Sequence, residues 1–99
     1  MKIAILHILY AIFKGNYERV ECLIKNDAKV EMRNFMGLSV MHMAAEGDKP
    51  NMLIYFKEKY GFNVNNSDYP GNTPLHWACY MAAENSINLL EKIKKRKKN

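Results

Sequence analysis

Cysteine is scarce in this 99-residue chain: Cys22 and Cys79 stand far apart, with no second pair beside either. Two isolated thiols make neither a disulfide framework nor a zinc set, and a reducing compartment is the simpler setting. Long apolar runs are lacking too. The run IAILHILYAIF after Lys2 falls short of the roughly 18–20 residues that span a bilayer. It superficially resembles the core of a secretory leader, but it contains His7, and no clear small-x-small cleavage site follows it. Also missing are a Gly-rich phosphate loop and a nucleophile elbow. No residue is therefore expected to be catalytic, and no cofactor is implied.

Charge of one sign is lacking from most of the chain. The net charge is +5, from 15 basic and 10 acidic residues. Six of the basic residues crowd into the last eight positions, KIKKRKKN, leaving nine bases against ten acids over residues 1–91. A nucleic-acid-binding domain carries a basic stripe on its folded surface, and this balance argues against one. With 48% hydrophobic residues, the chain has enough apolar material for one small folded domain rather than a disordered segment.

The chain repeats itself. GLSVMHMAAEGD at 37–48 aligns without gaps with GNTPLHWACYMA at 71–82, pairing Gly37 with Gly71, Ser39 with Thr73, His42 with His76 and Ala44 with Ala78. Behind each alanine, at the same distance, stands an apolar pair: Leu53 and Phe56, then Ile87 and Leu90. A degenerate third copy lies upstream, where Ala11 is followed by Val20 and Leu23, with Gly15-Asn16 between. That register assigns the apolar N-terminus to the inner helix of a first repeat. One extra residue in 57–60 separates Leu53 from Val64, compared with Val20 and Val30, which predicts a helix one residue longer there.

The motif Gly-x-Thr-Pro-Leu-His-x-Ala, followed by a helix and a turn such as DAKVEMRNFMG at 27–37 or GFNVNNSDYPG at 61–71, resembles the ankyrin repeat. The resemblance implies an all-α ankyrin-repeat solenoid of about three helix–turn–helix units with short β-turn fingers. The units fall at about 1–36, 37–70 and 71–93, with a basic tail at 94–99. The residues support it physically. Gly37 and Gly71 suit turns of positive φ, Ser39 and Thr73 are helix N-caps, and Pro74 sits where its missing N–H costs nothing.

In such a repeat His42 and His76 are expected to hydrogen-bond the backbone of the neighbouring turn. Cys79 takes the place of Ala45 and is expected to be a small buried core residue. His76-x-x-Cys79 lacks two further ligands at a suitable spacing, so no metal site is expected. Asp48 is expected to cap the helix that opens at Pro50.

Trp77 lies between His76 and Ala78 and is not needed to build the repeat. Because Ala44 and Ala78 face neighbouring helices, the intervening position is expected on the concave side, with Tyr10 and Met43 as its equivalents. Phe13, Glu46 and Tyr80 follow three residues on along the same face. Phe35, Met36 and Tyr69 are expected at the turn tips, with Pro70 beside Tyr69. An aromatic and methionine stripe of this kind marks a groove for a protein or linear peptide. The alternative is that individual members pack between repeats.

Residues 37–90 carry a narrower likeness. AAEGDKP, then TPLHWACY, is similar to the ankyrin region of the Asp-His-His-Cys protein S-acyltransferases (palmitoyltransferases). That likeness implies the cytosolic recruiting arm of a membrane enzyme, although this chain has no Asp-His-His-Cys motif, cysteine-rich zinc region or membrane span. The alternative is a stand-alone ankyrin adaptor or regulator, cytoplasmic or nuclear. The basic tail has three readings: a contact with an anionic membrane, a nuclear import signal, or a solvated helix end.

Overall fold

The computed structural model describes the backbone of residues 2–26 and 28–97, and the side chains of 5–26 and 28–96. These residues form six helices: α1 (Lys2–Phe13), α2 (Tyr17–Lys25), α3 (Val40–Glu46), α4 (Pro50–Tyr60), α5 (Pro74–Tyr80) and α6 (Glu84–Lys97). They pair as α1 with α2, α3 with α4 and α5 with α6, and the inner helices α1, α3 and α5 pack side by side. The N-terminal apolar run is thus the inner helix of the first unit. Its Ile8 and Ile12 are fully buried with Val20, Met41, Leu53 and Phe56. Burying each of these larger side chains contributes roughly 1.5–3 kcal/mol relative to leaving it in water.

Each unit turns from inner to outer helix by the same device. Ala11, Ala44 and Ala78 accept bonds through their carbonyls from the backbone N–H of Asn16, Lys49 and Ala83, at 2.9, 2.8 and 2.8 Å. The residue before each donor is left-handed: Gly15 at φ 73°, Asp48 at 54° and Ala82 at 55°. This is the Schellman geometry, whose left-handed position glycine occupies at least cost. Only the first repeat has glycine there.

Asp48 shows why the second repeat does not. Its carboxylate accepts from the Ser86 backbone N–H at 2.9 Å and from Asn85 Nδ2 at 3.2 Å, in the first turn of α6. Asp48 therefore caps the outer helix of the following repeat, not the helix at Pro50 as its sequence position suggests. That helix has Lys49 at its N-cap with no side-chain cap bond, and Pro50 in its first turn removes one of the donors a cap would serve. The left-handed backbone turns the Asp48 side chain across the repeat boundary.

The extra residue in the second repeat goes into its outer helix. α4 has eleven residues against nine in α2, a difference of two where the spacing predicts one, and it stops at the left-handed Gly61. The end of α2 is drawn in by a bond from Ala28 N to Leu23 O at 2.9 Å; in α4 the matching carbonyl, Phe56 O, accepts from Phe62 N at 3.3 Å, one residue later. Val30 and Val64 are buried alike after these two exits. Among the described residues the third outer helix shows no such exit: α6 continues through Lys97, so the basic segment from 94 is helical that far. Lys98 and Asn99, which complete the expected tail, lie outside the described residues.

Candidate interaction surface

The fingers between repeats are held by Asx chemistry. Asn34 Oδ1 accepts from the N–H of Met36 and Leu38, both at 2.9 Å, while Asp68 Oδ1 accepts from Gly71 and Asn72 at 3.0 and 2.6 Å. The two fingers lie together: Tyr69 N donates to Met36 O at 3.0 Å. Arg33 Nη1 spans them, donating to Gly37 O at 2.7 Å and Ser67 O at 2.8 Å. A Cβ on Gly37 would fall 2.7 Å from the Tyr69 backbone nitrogen, so no larger residue fits between the fingers.

This packing aims the finger tips at solvent. Phe35 is 89% exposed and Tyr69 71%, with Met36 beside them less open. On the inner helices Tyr10 and Tyr80 are 60% and 82% exposed. The Lys14 ammonium lies 5.9 Å from the centre of the Tyr10 ring, within reach of a cation–π contact. Phe13 leans on the second repeat: a Cβ on Gly47 would fall 3.1 Å from its ring. Met43 and Glu46 are half-buried. Burial pushes the Glu46 carboxyl above its ordinary value.

Trp77 has a role in the fold that its sequence position does not announce. Its indole N–H donates to Asp68 Oδ2 at 2.9 Å, tying α5 to the finger that precedes it. Burial pushes the Asp68 carboxyl up, but bonds from Trp77 and from the backbone and side chain of Asn72 outweigh that and hold it below the usual aspartate value. The Trp77 ring meets Tyr80 edge to face at 5.8 Å. Met36, Asn72, His76, Trp77 and Tyr80 together line an open cavity of about 290 Å³.

The two histidines expected to do the same work do not. His42 is fully buried; its Nδ1 accepts from Ser39 N at 3.1 Å and its Nε2 bonds Asn72 O, in the next finger, at 2.9 Å. A carbonyl can only accept, so the ring proton sits on Nε2 and Nδ1 carries the lone pair. Burial holds the His42 pKa below its ordinary value, against the raising effect of the Asn72 bond. His76 makes the same cap, accepting from Thr73 N at 2.9 Å, but it is exposed and, among the described residues, bonds no neighbouring turn.

Cys79 is exposed as well, where a buried core residue is expected, whereas its counterpart Ala45 is fully buried. The cause is common to both: the third repeat covers α3, and among the described residues nothing covers the corresponding side of α5. Cys22 is likewise exposed, on α2. Among the described residues no group of three His, Cys, Asp or Glu side chains is placed to hold a metal ion, and no helix is long and apolar enough to cross a membrane.

Stacked helix–turn–helix units, a shared inner layer and paired fingers define a repeat solenoid, a class whose extended concave surface serves recognition. A family model described as ankyrin repeats, in three copies, matches residues 8–99, and the chain belongs to the ankyrin-repeat family. Compared with curated proteins, the chain has no match. As a member of that family it is a protein–protein interaction module.

Proposed function

We propose that the module takes a linear segment of a partner protein along its concave side, across Tyr10, Phe13, Met43, Glu46, Trp77 and Tyr80, with Phe35, Met36 and Tyr69 closing over it from the fingers. One observation carries this reading: large apolar side chains stand open to water on the fingers and on the adjoining inner helix, and two of them, Met36 and Tyr80, line a cavity of about 290 Å³. Core packing does not require them there, and aromatic residues of this kind serve as anchors in recognition. The rings suit aliphatic or proline side chains of the partner.

The reading is tested by selecting from a random peptide library displayed on phage. The unmodified protein should enrich a family of sequences, and a variant with Phe35, Tyr69 and Tyr80 each changed to serine should not, while melting at a similar temperature. Equal enrichment by both would remove these residues from the binding surface.

The narrower parentage, a recruiting arm on the cytoplasmic side of a membrane S-acyltransferase, rests on the likeness over 37–90 alone. Its most specific element, Leu75-His76-Trp77-Ala78, has an account inside the fold, since Trp77 binds Asp68. The general reading, an adaptor or regulator in cytoplasm or nucleus, uses the same groove and is the one favoured here.

A further inference from the structure

We infer that the groove selects a segment carrying a basic residue, arginine or lysine, whose cation seats on the Glu46 carboxylate between the flanking aromatic positions. The inference rests on the groove reading above and adds the ligand's charge to it. Phe13, Glu46 and Tyr80 are the last residues of α1, α3 and α5, so they form one row across the three repeats. Neighbouring packed helices lie about 8–10 Å apart, which puts an aromatic residue one helix away on either side of the carboxylate. A flat guanidinium can accept both kinds of contact, charge from Glu46 and stacking from the rings.

Nothing in the fold explains an acid at this place. Glu46 closes a helix at its C-terminal end, where the exposed carbonyls disfavour negative charge. It is half-buried, yet among the described residues its carboxylate makes no hydrogen bond and no ion pair. The ion pairs that do form use Glu21 and Glu58, with lysines of α4. The cation that follows Phe13, Lys14, lies over the Tyr10 ring. A ligand cation would offset the desolvation that Glu46 bears in the free protein. Outside the C-terminal segment the chain is close to neutral, with one more acid than base over residues 1–91, so no general positive field of the body opposes such a ligand.

The test uses the same displayed peptide library, selected in parallel on the unmodified protein, on Glu46→Lys and on Tyr80→Ala. Sequences enriched by the unmodified protein should share one position held by arginine or lysine. On Glu46→Lys that position should lose its basic preference or turn acidic. A synthetic peptide of the consensus should bind Glu46→Gln roughly 10-fold more weakly. The same peptide with its basic residue changed to methionine should bind both proteins alike, as a double-mutant cycle requires of a direct pair. The melting temperature of Glu46→Gln should be equal or higher. Enrichment without a basic position, or a basic preference that survives in Glu46→Lys, would overturn the inference and leave the groove standing, provided Tyr80→Ala still abolishes enrichment. No enrichment on the unmodified protein would overturn the groove itself, and this inference with it.

Discussion

The second and third repeats present the same cap in two settings. Ser39 with His42, and Thr73 with His76, each close a reciprocal box in which the histidine Nδ1 accepts from the cap's backbone N–H. In the second repeat a following finger arrives, the ring is buried, and its other nitrogen finds Asn72 O. In the third no finger arrives among the described residues, and His76, Leu75 and Cys79 are more open than His42, Met41 and Ala45. The motif therefore sets the helix start, and the neighbour sets whether the histidine also joins one repeat to the next. A repeat protein divides its interactions into those within a unit and those between units, and the same four-residue motif contributes to one or to both.

The largest expected effect comes from uncovering the second repeat on its other side. Deleting residues 1–13 strips Ile8, Ile12 and Ala11 from the shared core, and stability should fall by several kcal/mol, a large part of what a small domain has. An unchanged denaturation curve would mean that α1 contributes nothing to the stack.

The histidine pair gives the next contrast. His42→Ala leaves Asn72 O and Ser39 N without their partner and should cost about 2–3 kcal/mol. His76→Ala removes only a cap contact at the surface and should cost under about 1 kcal/mol. The pH dependence sharpens the difference. His42 titrates below its ordinary value of 6.5 in the fold, so the unfolded chain takes up the proton first as pH falls. Stability is then full above about 6.5 and declines as pH drops from there toward the lowered folded value. Protonating Nδ1 would also break its bond from Ser39 N. A melting series from pH 8 to pH 5 should show this decline, and in His42→Ala it should be much reduced.

A smaller effect probes the boundary from the outer layer. Asp48→Ala removes the cap of α6 and should cost about 1 kcal/mol, whereas Ala82→Gly at the equivalent left-handed position should add about 1 kcal/mol by relieving its φ of 55°. Urea denaturation of the two variants checks both signs. A gain from Asp48→Ala would show that its bonds to Ser86 and Asn85 do not hold in solution.

How much of this is legible in the sequence depends on whether a residue's partner is local. The N-caps and the proline at the helix start follow from neighbours a few residues away, the repeat register and the buried alanines follow from the recurrence of one motif along the chain, and all of them read directly. Asp48 does not, because its partners Ser86 and Asn85 belong to the next unit and only a left-handed backbone brings them within reach. His76 and Cys79 mislead because repeat equivalence carries over a residue's identity but not its covering. Trp77 escapes for a related reason: its partner Asp68 sits in a finger, and an Asp-Tyr-Pro-Gly turn signals a bend without saying that one carboxylate oxygen is left over for an indole. Of the candidate groove, Tyr10, Phe35, Tyr69 and Tyr80 are exposed, but Tyr10 lines a cavity with α2 residues rather than the one beside Trp77 and Tyr80, while Glu46 is legible only as a position and its lack of a cation requires the structure.

The central claim is that the open aromatic residues serve a partner and not the fold, and Tyr80 separates the two most cleanly, since it is 82% exposed and its contact with Trp77 is edge-on. The measurement is titration of a library-selected peptide into the unmodified protein and into Tyr80→Ala, with the melting temperature of each recorded in the same buffer. The account predicts a loss of at least about 2 kcal/mol in binding, as for an anchor residue, with stability changed by no more than about 0.5 kcal/mol, as for a surface substitution. Unchanged affinity together with a lowered melting temperature would show that Tyr80 belongs to the fold and would contradict the account.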